Sequence, residues 1–193
     1  MPEQDHKERL SEYRAKRRPD RSGEPAGSGR MKAPAEAPRF VVQRHDASSL
    51  HFDFRLEIEG VLVSWAVPKG PSTDPREKRL ATRTEDHPLD YLDFEGRIPS
   101  GEYGAGTVVV WDIGGYRNLA DEDVSDGLRR GHLKVWLDGE KLHGGYALTR
   151  TKMRGDPRNW LLVKVDDERA DRRRRPTRTQ PESVLSGRTN EEL

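Results

Sequence analysis

The stretch "RHDASSLHFDFRLE", residues 44–57, holds two histidines, two aspartates, two arginines and a glutamate among a few apolar residues. In its continuation "LHFDFRLEIEG", Leu50, Phe52, Phe54, Leu56 and Ile58 alternate with His51, Asp53, Arg55, Glu57 and Glu59, the period of a strand with one apolar and one polar face. His51 and Asp53 are then neighbours on one face, and an imidazole and a carboxylate at i and i+2 can share a metal ion if a third ligand is near. His45 stands six residues upstream, across the "DASSL" turn. The chain has no cysteine, so any metal must be held by histidine and carboxylate. Two imidazoles and one carboxylate suit Mn, Fe, Co or Zn and leave coordination positions open for substrate or water. Arg55, one step further along the same face, is a natural bidentate clamp for a phosphoryl group. A half-exposed strand with a merely polar outer face has the same pattern, so this strand alone leaves both readings open, and Glu57 belongs with the plain surface.

A second cluster lies in "TRTEDHPLDYLDFEGRIPSGEYGAG", residues 82–106, which places His87, Asp90 and Tyr91 in a loop after a strand. His87 could protonate a leaving oxygen or bind phosphate, and Tyr91 could donate a hydrogen bond; the alternative is a His-Pro pair that only opens a turn. "SGEYGAG" is glycine-rich but lacks the GK[ST] of a phosphate loop. Lys69 in "SWAVPKGP" and Arg79 in "KRLATR" add cations near strand ends, where solvated surface charge explains them equally well. Trp65, Trp111, Trp136 and Trp160 sit in apolar strand contexts and read first as core.

The elements that must position these groups are short. "RFVVQR", "LHFDFRLEIEG", "VLVSWAVP", "RLATRTE", "TVVVWDIGGYRNL", "HLKVWLDGEKL", "YALTRTKM" and "WLLVKVDD" are β-branched or aromatic runs separated by glycine turns. They predict an all-β domain, most economically a compact antiparallel β-barrel of about eight strands, with one short helix near 121–130. The 193 residues suit one domain, and the imbalance of 32% hydrophobic to 36% charged residues is concentrated at the two ends. Residues 1–38 read as a short, mostly solvated N-terminal helix, carrying Leu10 and Tyr13 among many charges, and a flexible Pro/Gly/Ser-rich arm; 39–167 as the barrel; 168–193 as a basic, disordered tail or linker. The net charge of +1 does not by itself argue for a polyanionic partner, yet arginines 169, 172, 173, 174, 175 and 178 face a single acid, Asp171, and such a patch can attract phosphate. With no charged-then-apolar leader and no apolar run of the ~18 residues a membrane helix needs, a soluble cytoplasmic protein is expected.

Taken together, "QRHDASSLHFDFRLE", "SWAVPKGPS", "RLATRTEDHPLDYLDFEGRIPSGEYGAGTVVVWD", "GHLKVWLDGEKLHGGYALTR" and "NWLLVKVDD" resemble the phosphoesterase domain of bacterial DNA ligase D, over about residues 8–167 and in order. The resemblance implies a β-barrel enzyme, usually dependent on manganese (Mn2+), with Co2+ or Zn2+ as alternatives. Such an enzyme heals DNA 3′ ends: it removes a 3′-terminal ribonucleoside and then the 3′-phosphate, leaving a 3′-hydroxyl. The implied substrates are primer-template 3′ ends, and the implied partners are the ligase and polymerase modules and Ku of non-homologous end joining, at the nucleoid. It also implies metal ligands at His45, His51 and Asp53, a phosphate-contacting Arg55, and active-site roles for His87, Tyr91, Lys69 and Arg79. In the N-terminal arm, "EYRAKRRPDRSGEP" matches in part, through Tyr13, Lys16, Arg17 and Glu24, while Arg18 stands where the family's usual aspartate would be. The rival expectation is a barrel module that binds nucleic-acid ends without catalysis; it would lack a ligand, and all three are present.

Overall fold

Period-two alternation becomes a closed antiparallel sheet in the computed structural model, which describes residues 2–27 and 37–193. The strands are β1 (Arg39–Asp46), β2 (Leu50–Ile58), β3 (Val61–Val67), β4 (Lys78–Arg83), β5 (His87–Pro88), β6 (Gly96–Ile98), β7 (Gly106–Asn118), β8 (His132–Asp138), β9 (His143–Arg150) and β10 (Asn159–Lys164). Eight of them run in the order β1-β2-β3-β4-β10-β9-β8-β7, and β7 pairs back onto β1. This is the expected barrel of about eight strands, with β5 added beside β3 and β6 beside β7. Where β7 meets β1 the register slips between Val42 and Gln43, so that Trp111 is the extra residue of a bulge. Gly106 opens β7 at φ +141°, and a Cβ there would overlap the carbonyl oxygen of Asp46, which explains why this closure needs glycine.

The helices are α1 (Pro2–Arg9), α2 (Ser11–Lys16), α3 (Pro19–Ser22), α4 (Val124–Arg130) and α5 (Pro176–Thr179). α4 falls where a short helix was expected. Phe40, Val42, Phe52, Phe54, Leu56, Val63, Trp65, Trp111 and Trp160 belong to one buried cluster, in which Trp65 meets Trp160 edge-on at 5.5 Å and Phe52 meets Trp111 at 5.3 Å. Leu62 alternates with Val61 and Val63, which face that core, and therefore points out of the barrel; there it forms a second buried cluster with Tyr13 and Tyr91. The candidate site residues of β1 and β2, opposite in alternation to Phe52 and Phe54, lie on this outer wall.

Both chain ends differ from expectation. The N-terminal segment is not merely solvated: most of its residues are exposed or half-buried, but Leu10 and Tyr13 are fully buried, Leu10 in the main core and Tyr13 in the outer cluster. Leu10 at the junction of α1 and α2 and Tyr13 on α2 are two apolar anchors, enough to dock a segment whose other residues are mostly charged. The part of the expected flexible arm from 28 to 36 lies outside the described residues.

Residues 168–193, expected as a loose tail, are laid against one end of the barrel. Trp111 Nε1 donates to the Gln180 carbonyl at 2.7 Å, Val184 N to Val110 O at 2.9 Å, and the buried Asn190 amide to Thr107 O at 2.8 Å. Hydropathy misses this segment because hydrogen bonds to buried polar groups, rather than an apolar stretch, hold it. No helix among the described residues is long and apolar enough to cross a membrane.

Leu10→Ala is expected to lower the free energy of unfolding by about 2–5 kcal/mol, the usual cost of emptying a core site. Chemical denaturation measures it, and a loss below about 0.5 kcal/mol, typical of surface positions, would show that the helix contributes nothing to the core.

Candidate functional site

The hairpin register builds the centre of the site. β1 and β2 pair with His45 directly opposite His51 and Gln43 opposite Asp53, while β2 and β3 set Arg55 opposite Ser64. The His45 and His51 rings are consequently side by side, 4.7 Å between centroids, on the outer wall. Asp53 lies between them, with Oδ2 3.4 Å from His45 Nδ1 and Oδ1 3.4 Å from His51 Nε2. A ligand atom from each of the three falls within 4.8 Å of the others.

The far nitrogen of each ring is tied to a backbone carbonyl: His45 Nε2 to Gly104 O at 2.7 Å and His51 Nδ1 to Ser49 O at 3.1 Å. A neutral imidazole that donates at one nitrogen presents a lone pair at the other, so both free lone pairs converge on Asp53. Burial opposes ionisation of Asp53, but Arg55 and the two imidazoles outweigh it and hold the carboxyl well below its usual range. Burial also works against charge on His51, yet the hydrogen bond its protonated form would donate from Nε2 to Asp53 raises its pKa overall, so a metal ion at this position competes with that proton. A carboxylate fixed in its ionised form between two oriented lone pairs is the donor set a divalent ion takes.

Beside this triad, Arg55 is only 3% exposed. Its Nε donates to Gln43 Oε1 at 2.7 Å and one terminal nitrogen to Ser64 Oγ at 2.8 Å; the other stands 3.6 Å from Asp53 Oδ2. That last nitrogen turns the guanidinium toward the triad. His87 Nδ1 lies 2.9 Å from Glu85 O and 3.1 Å from Arg55, and His87 Nε2 lies 3.1 Å from Arg17. A neutral ring has one N–H, so Nδ1–H donates to the Glu85 carbonyl and Nε2 accepts from Arg17. Burial, then Arg55 and Arg17, push the His87 pKa well below its ordinary value.

The N-terminal arm forms the facing wall. Arg17 pairs with Glu24 at 3.1 Å and with Glu85 at 2.9 Å, and Tyr91 OH donates to Glu24 Oε1 at 2.8 Å. Burial and the adjacent Glu24 raise the Tyr91 pKa, so the phenol stays a donor. Glu24 Oε2 is buried and has no hydrogen-bond partner among the described residues. Arg18 turns outward and holds Glu102 at 2.8 Å, which ties the arm to the "SGEYGAG" loop.

The result is a cleft of about 310 Å³ lined by the triad, Arg55, His87, Tyr91, Arg17 and Glu24, together with Glu85, Tyr103 and Gly104. Its carboxylates, Glu24, Asp53 and Glu85, outnumber its guanidinium groups, Arg17 and Arg55, by one; a divalent cation at the triad would reverse that sign and prepare the cleft for an anion.

Two of the expected site residues are not brought here. Lys69 is exposed in the turn after β3, and Arg79 sits on β4 paired with Glu77 at 2.7 Å. The sequence reading passed over Gln43 and Ser64 and gave Glu85 no part. Gln43 and Ser64 share the outer face with Asp53 and Arg55, and become visible once strand register is added to alternation. Glu85 and Tyr103 carry no such periodic signal.

A closed antiparallel barrel bearing a two-histidine, one-aspartate centre beside a buried arginine defines a barrel protein with a candidate metal site on its outer wall. The family model for the DNA ligase D 3′-phosphoesterase domain matches residues 43–150, and the chain belongs to that family. It is 52% identical over 182 residues, 93% of the chain, to the multifunctional non-homologous end joining protein LigD of Pseudomonas aeruginosa, of which it covers 21%. It is 42% identical to the Mycolicibacterium smegmatis protein of that name over 84% of the chain and 21% of the relative. It is 43% identical to the multifunctional non-homologous end joining DNA repair protein LigD of Mycobacterium tuberculosis, over 84% of the chain and 20% of the relative. The chain thus spans about a fifth of the length of these relatives.

His87 supplies a pH test. Its folded pKa lies below the ordinary 6.5, so below pH 6.5 the unfolded chain binds a proton that the folded chain refuses, and stability falls as pH drops from 6.5 toward the folded value. Thermal melts between pH 7 and 5 should show this decline, and His87→Gln should flatten it; equal slopes for parent and variant would contradict the neutral, buried assignment.

Proposed function

We propose that the protein is a metal-dependent DNA 3′-end-healing phosphoesterase that removes 3′-terminal ribonucleosides and 3′-phosphates to leave a 3′-hydroxyl in repair by non-homologous end joining. The observation that carries this reading is the convergence of His45, His51 and Asp53 beside Arg55, whose remaining guanidinium edge faces the triad. The relatives' names support the repair context. Ligase and polymerase modules and Ku are the partners this context supplies, with primer-template ends as substrate, in the cytoplasm at the nucleoid.

A divalent ion held by His45, His51 and Asp53, manganese on this reading, would supply Lewis-acid charge to a phosphoryl oxygen. The chain's own groups do the rest by position and charge. Arg55 is held at Nε by Gln43 and at one terminal nitrogen by Ser64, so it meets a phosphate with its free edge already oriented. His87 enters neutral, as an acceptor at Nε2; phosphate charge arriving beside Arg55 and Arg17 offsets the groups that depress its pKa and lets the ring take a proton. Tyr91 contributes a protonated phenol. Lys69 and Arg79, outside the cleft lining, act on substrate farther from the reacting phosphate or through the barrel wall. The unpartnered Glu24 Oε2 is a ready acceptor for a sugar hydroxyl, which supports recognition of a terminal ribonucleoside.

With manganese and a primer-template ending in a 3′-phosphate, the parent protein should release phosphate, and His51→Ala and Asp53→Ala should fall to background. Unchanged release in both variants would sink the site assignment, and a parent that shifts duplex mobility without turnover would favour the end-binding module. Arg55→Lys should lose roughly 10²–10³-fold in kcat/KM, as for other lost transition-state donors, because a point charge cannot replace the clamp. On paired substrates, Glu24→Gln should depress removal of a terminal ribonucleoside more than release of a 3′-phosphate; a ratio equal to the parent's would remove Glu24 from sugar recognition.

A further inference from the structure

The arginine-rich segment after the barrel is built into the fold, and only part of its charge is paired among the described residues. Asp171 N donates to Thr73 O at 2.8 Å and Thr73 Oγ1 to Asp171 O at 2.7 Å, which pins the segment to the turn between β3 and β4. The one acid of the run, Asp171, takes the backbone N–H groups of Arg173 at 2.8 Å and Arg174 at 3.3 Å through Oδ1. Arg175 folds back on the carbonyls of Arg172 and Arg174 and reaches Glu77. Arg174 donates to the Lys141 carbonyl. Arg172, Arg173 and Arg178 are exposed, and none of them is in an ion pair among the described residues. Exposed Lys69, Arg76 and Lys78 lie in and beside the turn to which the segment is pinned, Arg76 being paired with Asp74. On a chain of net charge +1, cations are thus gathered on one face.

The segment shares a barrel end with the triad, on the core side of β2. Gly70 is caught between the Thr177 methyl of α5 and the ring of Phe52, where φ +73° and the crowding on both sides exclude a Cβ. Phe52 is the residue between His51 and Asp53, so α5 sits across the sheet from the metal-binding strand, at the same barrel end.

We propose that this segment is a docking surface for the phosphate backbone of duplex DNA behind the 3′ end held in the cleft, an inference that rests on the function proposed above. Guanidinium groups suit phosphate oxygens, and a backbone already fixed by hydrogen bonds spares the ordering cost that a loose arginine tail would incur. Three unpaired arginines on phosphate contacts contribute about 2.7 to the slope of log K against log salt. Lys69 stands at the border of this surface, which accounts for a cation outside the cleft.

The test is fluorescence anisotropy of a duplex with a 3′-hydroxyl end across a salt series, comparing the parent with Arg172→Gln/Arg173→Gln/Arg178→Gln and with the corresponding triple lysine variant. The glutamine variant should lose about 2.7 from the slope, so that over a fourfold salt range the parent loses about 40-fold more affinity than the variant does. The lysine variant should keep the parent slope, because counterion release counts charges. On a 3′-phosphate duplex, the glutamine variant should raise KM and keep kcat. A glutamine variant with the parent's slope and KM overturns the docking surface while leaving the phosphoesterase reading intact. A parent that releases no phosphate but shows the slope difference sinks that reading and upholds the surface.

Discussion

A guanidinium buried in the outer wall of a barrel is the constraint around which this site is arranged. Arg55 cannot lose its charge, and leaving such a charge buried and unmatched would cost on the order of several kcal/mol. Its neighbours answer that demand: Gln43 and Ser64 accept from it, Asp53 stays ionised beside it, and burial together with it keeps His87 neutral. The same carboxylate lies between the two histidines, so the group that offsets the Arg55 charge is also the ionised member of the candidate metal triad. Arg55 and the candidate metal triad are therefore one electrostatic unit.

The facing wall depends on that unit as well. Tyr91 presents its ring to Arg55 at 5.0 Å and its hydroxyl to Glu24, while Glu24 and Glu85 together hold Arg17. Tyr13 packs edge-on against both His87 and Tyr91, and Leu62 completes the cluster from the outer face of β3. The arm is thereby a structural wall of the cleft, and its docking sets where Arg17 and Glu24 stand. Burial of Tyr13 couples the stability of the first helices to the geometry of the site.

The chain's near-neutral total charge conceals a division of labour. Within the cleft, acids and guanidinium groups nearly balance. At the adjoining barrel end, arginines project from a backbone held by Thr73, Asp171 and the carbonyls around Arg175. A compact buried cluster and a diffuse cationic face are different electrostatic arrangements, one dependent on low dielectric and the other on long-range attraction screened by salt.

Alternation in "LHFDFRLEIEG" was sufficient to put His51, Asp53 and Arg55 on one face, and the glycine-punctuated runs to imply a barrel of about eight strands, because both follow from strand geometry a few residues long. The helix near 121–130 was legible for the same local reason. The matched blocks identified the family. Contacts between distant segments left no periodic trace: the burial of Leu10 and Tyr13, the strapping of 168–193 onto Trp111 and Thr107, the bridge from Glu85 to Arg17, and the placing of Lys69 and Arg79 outside the cleft. The sequence by itself thus determined the strands, the turn chemistry and which groups share a face. Only the tertiary structure decided which faces meet and which charges are buried together, because ionisation and hydrogen-bond partners depend on the solvent that folding removes.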